Sequence, residues 1–194
     1  MKLEALLIHV KGMENEVGGY FEVNKHKDKF DFVVSSNGQT NVSTGREYVE
    51  LPSGVHSLLW HYHPDKLGIW PSFEDLLISI PSKNKRFECY VNLIVTNLGC
   101  WVFDGICQSN EKKNIDLNQI YQTWYNFHLF MTKETQKKGG WDFGVIRFGI
   151  EQFRYEMFTN HGFRITFIDD NIFRNLRDKQ FVSDVVNYLT YVLK

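Results

Sequence analysis

The stretch HSLLWHYHPDKLGIWPSFEDLLISI, residues 56–80, opens as a strand and closes as a helix, and its two histidines stand where the one gives way to the other. His56 to His63 is an apolar, aromatic run of strand type. Residues two apart on a strand point to the same side, so His61 and His63 both reach a single point at the strand's end. Pro64 removes a backbone donor and ends the ladder. Ser72 then opens a helix over PSFEDLLISI, and Asp75 falls in its first turn, facing back toward the strand end. Two imidazoles and a carboxylate suit zinc. Three protein ligands with a fourth position left to water is the catalytic zinc pattern, in which the water's pKa falls to about 7. Each half also has an ordinary explanation. Ser-x-x-Asp ahead of an apolar run is a helix cap with an acid in the first turn, and His-x-His on a strand can be a hydrogen-bonded pair.

A base for such a water stands upstream. In NEVGGYF, Glu16 precedes Gly18 and Gly19, glycines that let backbones approach closely as a strand opens. Taken alone, Glu16 also fits a surface carboxylate before a turn.

The rest of the chain sets the frame. Its 194 residues suit one domain with a sizeable core. A composition 43% hydrophobic and 15% aromatic argues for a folded globular protein. The formal net charge of -1 points to neither nucleic acid nor an anionic membrane as partner. Cys89, Cys100 and Cys107 form neither an even set nor a C-x-x-C, so they signal no disulfide framework and no thiolate zinc site. A reducing, cytoplasmic setting follows as the expectation. MKLEALLIHVKG carries Glu4 and no small-residue cleavage site, which makes it a poor signal peptide, and no apolar run reaches membrane-spanning length.

Leu3 to Val10 reads as helix or strand, with its good helix formers favouring a short helix. EVGGYFEV and KFDFVVSS read as strands joined by a charged turn, NKHKD, and NGQTNVSTG is turn-rich. RFECYVNLIVTNLGCWVFDGIC reads as a hairpin turning near Asn97 to Gly99. After the polar loop SNEKKN, Leu117, Ile120, Tyr121, Trp124 and Phe127 fall at helical spacing behind Asp116 as cap, and KKGG breaks that helix. Ile146, Ile150, Phe153 and Met157 mark another helix, stopped at NHG. FRITFID is a strand. Asp178 to Leu193 is a terminal helix with Phe181, Val185, Leu189 and Val192 on one stripe. Mixed strands and helices make the class α/β or α+β in one domain. His9, His26, His56, His128 and His161 have no ligand spacing. Trp70, in the loop before Ser72, either lines a channel at the site or packs beneath the loop.

Three blocks, Glu16-Val17-Gly18-Gly19, His61-Tyr62-His63-Pro64 and Pro71-Ser72-Phe73-Glu74-Asp75, resemble in kind and order the JAMM (MPN+) metalloprotease family. That pattern is a Glu before a Gly-rich strand, then His-x-His-Pro, then Ser-x-x-Asp. The resemblance implies a single α/β domain over 1–194, with a cytidine-deaminase-like mixed sheet flanked by helices. The motif-bearing core would span about 1–110, and extra C-terminal helices and one strand would complete or extend it over 111–194. It implies one zinc ion per chain on His61, His63 and Asp75, Glu16 as general base, and Ser72 as donor to the oxyanion. The substrate it implies is ubiquitin or a ubiquitin-like protein, cleaved at the peptide or isopeptide bond after its C-terminal tail. The C-terminal aromatic helices are candidates for a homo- or hetero-oligomer face or for substrate docking.

The sequence departs from the family in two places. The family sets seven residues between the second His and the Ser, whereas here Pro64 to Pro71 makes eight. A one-residue loop insertion keeps Ser72-x-x-Asp75 whole; strict spacing would instead make Glu74 the ligand. Fifteen residues precede Glu16, so the first helix is expected to be short or the first strand missing. Two other readings stand beside the isopeptidase: an inactive scaffold of the same fold, and a peptidase that matures a ubiquitin-like precursor.

Overall fold

The computed structural model describes residues 2–11, 13–26, 29–34, 54–64, 68–80, 87–106, 115–137, 142–170 and 178–194. The turn-rich 37–45 segment, the polar loop 109–114 and most of the KKGG break lie outside these residues.

The elements run α1 (Leu3–His9), β1 (Val17–His26), β2 (Lys29–Val34), β3 (Gly54–Tyr62), α2 (Phe73–Ile78), β4 (Phe87–Thr96), β5 (Gly99–Ile106), α3 (Leu117–Lys137), α4 (Phe143–His161), β6 (Phe163–Asp169) and α5 (Asp178–Val192). Among the described residues they build one mixed six-stranded sheet, ordered β2-β1-β3-β4-β5-β6, packed with helices. The class is α/β, with helices in its C-terminal part. No helix among the described residues is long and apolar enough to cross a membrane.

β3 and β4 pair in parallel, while β1–β2, β1–β3 and β4–β5 are antiparallel. Parallel neighbours need a crossover, and the chain that supplies it carries Pro64, the 68–71 loop and α2. The β4–β5 hairpin turns where the sequence places it. Thr96 Oγ1 accepts the Leu98 N–H at 3.2 Å and donates to the Gly99 carbonyl at 3.0 Å. Gly99 sits at φ +153, and a Cβ there would collide with the Ile168 carbonyl oxygen. The β1–β2 hairpin is tighter than NKHKD suggests. His26 pairs with Lys29, so Asn24 to His26 extend the strand and the connection shrinks to residues 27–28.

The chain forms two compact units, Met1–Asp104 with Phe167–Lys194, and Gly105–Thr166. The core of the first joins Leu3, Leu6 and Leu7 of α1 to Leu58, Trp60 and Tyr62 of β3, Val91, Leu93 and Val95 of β4, and Phe181, Val185 and Leu189 of α5. The stripe on α5 thus packs as the helical spacing expects, except that Val192 at its end is only half-buried. In the second unit, α3 and α4 meet through Phe127 and Phe153, ring centroids 4.9 Å apart, and through His161 Nε2 and Thr123 Oγ1 at 2.8 Å. Asp142 caps α4 by accepting the Val145 N–H, and Gly162 ends it at φ 73, the left-handed stop that glycine takes without strain.

Candidate metal centre

The antiparallel register sets Gly18 opposite His61 and Val17 opposite Tyr62. Opposed residues share a face, so Gly18 and His61 lie on the same face of the sheet. One step beyond that ladder, Glu16 lies at the same end as His63. His63 is itself fixed by donating its main-chain N–H to the Val95 carbonyl at 2.8 Å.

The third arm is α2. Ser72 is its N-cap: its Oγ accepts the Asp75 N–H at 3.2 Å, and its own N–H donates to Asp75 Oδ2 at 2.7 Å. This reciprocal capping box turns Asp75 inward while Glu74 faces solvent. The eighth loop residue is therefore taken up ahead of Ser72, and Asp75, not Glu74, meets the histidines. Asp75 Oδ1 lies 2.9 Å from His61 Nε2 and Oδ2 lies 3.4 Å from His63 Nε2. The two Nε2 atoms are 3.1 Å apart. Glu16 Oε1 stands at 4.0 Å from His61 Nε2.

His61, His63 and Asp75 are 2%, 6% and 4% exposed, and burying such groups is costly unless they have partners. Nδ1 of each ring is buried without a hydrogen bond among the described residues; both rings direct Nε2 at the same point. The Trp70 main chain lies near enough to favour a protonated His63, though it does not meet hydrogen-bond geometry at Nδ1.

The electrostatics are those of a closed cluster. Burial pushes Glu16 up to about 7, with His61 opposing and Asp75 adding to the rise. Burial pushes His63 down to about 4, against the pull of Asp75 and with help from His61. Burial also disfavours charge on His61, but the Asp75 carboxylate outweighs it by charge and hydrogen bond and raises the pKa, with Glu16 adding. Burial works against the Asp75 carboxylate too, yet His61, His63 and the Ser72 N–H hold it below the usual range.

Glu16, His61 and His63 form a buried group that can hold a metal ion, each offering one atom with all three atoms within 4.8 Å of one another. The spacing is informative about type. Bonds of about 2.0–2.1 Å in a tetrahedron place ligand atoms about 3.3 Å apart. The His61–His63, His61–Asp75 and His63–Asp75 distances bracket that value, and Glu16 lies outside it. Nitrogen and oxygen donors meet here without a buried lysine or arginine among the described residues, as a metal ion held by protein ligands requires.

Of the other candidates, Trp70 is 7% exposed and packs against Trp101, ring centroids 6.0 Å apart; it lies beneath its loop. His128 packs on Trp124 at 4.3 Å, and His161 bonds Thr123. Two contacts near the site could not be read from the sequence. Asn92 is fully buried on β4, its Nδ2 3.5 Å from the Asp75 carbonyl; the signal was a lone amide inside the apolar run YVNLIV. Trp101 donates its indole N–H to the Ile69 carbonyl at 2.6 Å, and no spacing in the sequence announces that contact.

No protein-family model, curated protein or solved structure matches this chain.

Proposed function

We propose that this chain is a zinc-dependent peptidase or isopeptidase that cleaves after the C-terminal tail of ubiquitin or a ubiquitin-like protein. The observation that carries the metal chemistry is the buried meeting of His61 Nε2, His63 Nε2 and an Asp75 carboxylate oxygen within 3.4 Å of one another, with a second carboxylate just outside at 4.0 Å. The substrate class rests on the resemblance of the three sequence blocks to JAMM metalloproteases.

In this reading His61, His63 and Asp75 hold one zinc ion per chain. When bound, the ion supplies Lewis acidity and a water acidified toward neutrality. Glu16 is the proton carrier. A carboxyl group with a pKa of about 7 is matched to taking up a proton and giving it back near neutral pH, here at Oε1 and then to the departing amine nitrogen. Ser72 uses an oxygen lone pair to cap α2, which leaves its hydroxyl hydrogen to donate to a carbonyl oxygen gaining negative charge. Cap and oxyanion donor are compatible roles for one side chain.

Metal content tests the reading first. Purified untagged protein is expected to carry about one zinc per chain, and a folded His61→Ala, His63→Ala variant to carry none. Linear fusions and lysine-linked conjugates of ubiquitin-like proteins then separate precursor processing from deconjugation. Folded wild-type protein that takes up no zinc would overturn the proposal and leave an inactive scaffold as the better account.

A further inference from the structure

We propose that Trp101 is a positioning residue for the metal centre: from β5 it clamps the 68–71 loop by its indole N–H and its ring, and the clamped loop sets the start of the helix that carries Asp75. The inference rests on the metal-binding reading above and adds a residue that neither binds the ion nor touches substrate.

Trp101 is fully buried and opposes Ile94 in the β4–β5 ladder, so its backbone belongs to the rigid sheet. Its Nε1 donates to the Ile69 carbonyl at 2.6 Å. Its ring lies 6.0 Å from Trp70 on one side and 4.7 Å from Phe167 on another. These contacts hold the side chain, and two of them grip consecutive loop residues. Pro71 and Ser72 follow directly, and the Ser72 N–H holds Asp75 Oδ2. A shift of Ile69 and Trp70 would move the cap, and the cap fixes the carboxylate. The indole bond is not a mere by-product of burial: Trp60, 2% exposed, has its Nε1 buried without a hydrogen bond among the described residues.

Groups that orient metal ligands typically cost 10–100-fold in affinity when removed. Trp101→Phe keeps an aromatic ring and deletes the N–H. Zinc affinity, read by competition with a chromophoric chelator, is expected to fall tenfold or more in a variant whose circular dichroism matches wild type. A Trp101→Phe protein that loses stability yet binds zinc as tightly as wild type would overturn the inference and leave Trp101 a core residue.

A second measurement needs no substitution. Coupling between a clamp and a binding site is reciprocal, so zinc is expected to slow hydrogen exchange of the Trp101 indole N–H tenfold or more in wild-type protein. An exchange rate that zinc leaves unchanged would count against the inference even if the variant failed to fold. Wild-type protein that binds no zinc would sink the metal reading and the inference together; wild-type protein that binds zinc with neither readout moving would sink the inference alone.

Discussion

On one side of the sheet, Leu58, Trp60 and Tyr62 of β3 and Val91, Leu93 and Val95 of β4 join α1 and α5 in a continuous apolar core. On the other side, the alternate residues of the same two strands include His61, Asn92 and Thr96, with His63 just past the end of β3, all buried. Asp75 of α2 meets them from across the crossover. Both faces exclude water and both bury apolar side chains, Leu59 and Ile94 among them on the second, but only the second also buries imidazoles and carboxylates, which do not gain from it. The second face encloses two imidazoles and two carboxylates whose proton affinities are displaced in opposite directions. A sheet that needed only stability would have filled both faces alike, so the polar face is where function is to be sought.

The comparison can be broken most directly at Glu16. Glu16→Gln keeps the shape of the polar face and removes the proposed proton carrier. Zinc content is expected to stay near that of wild type while turnover on a ubiquitin-like fusion falls by roughly 100- to 10,000-fold. Near wild-type turnover would show that Glu16 is not the base.

The apolar face answers to a different measurement. Leu93→Ala empties part of a fully buried site, and equilibrium denaturation should show a loss of about 2–5 kcal/mol. Zinc affinity of the folded variant should be nearly unchanged. A variant of full stability but weakened zinc binding would mean that the two faces are not separable in this way.

A smaller effect lies in the pH dependence of stability without metal. The folded pKa of Glu16 is raised from 4.5 to about 7, chiefly by burial. A raised carboxyl pKa contributes stability that is complete below the unfolded value and is lost as pH rises through the folded one. In chelated protein, Glu16→Gln should therefore gain on wild type as pH rises from about 4.5 to about 7. The gain should be on the order of 1 kcal/mol, because the group keeps some contact with solvent. A pH-independent difference would place Glu16 in a wetter setting than its 10% side-chain exposure indicates.

The smallest effect belongs to Cys100, on the apolar face. Burial pushes its thiol up to about 12, with Lys11 opposing only weakly, so almost no thiolate exists at neutral pH. Mass spectrometry of native protein treated with a thiol reagent at pH 7 should find Cys100 unmodified. Rapid labelling would mean that this face opens readily.

Much of this contrast was legible in the amino-acid order, because it lies in local periodicity. The spacing of two between His61 and His63 fixes their common side, and Ser72-x-x-Asp75 specifies its own cap whatever surrounds it. The α4 stripe and the Gly162 stop were equally local. What could not be read depends on which distant segments meet. Nothing near Asp178 says that α5 shares a core with α1. The parallel pairing of β3 with β4, the grip of Trp101 on Ile69 and the approach of Asn92 to Asp75 join residues far apart in sequence. The choice of Asp75 over Glu74 belongs to both classes: the capping box favoured it, and the three-dimensional approach to His61 decides it.

That long-range pairing imposes an order of events on folding. Every rung of the β3–β4 ladder, such as Leu58 with Val91 or His61 with Ile94, closes a loop that holds the whole crossover, including α2. Closing it costs chain entropy before any rung is gained. The histidines and Asp75 sit at the end of that ladder and within that loop, so they meet only once the central pair has zipped. A zinc ion held there would thus be a late arrival rather than a nucleus. It should leave the refolding rate of the chelated protein nearly unchanged and act almost wholly by slowing the rate at which the native chain comes apart.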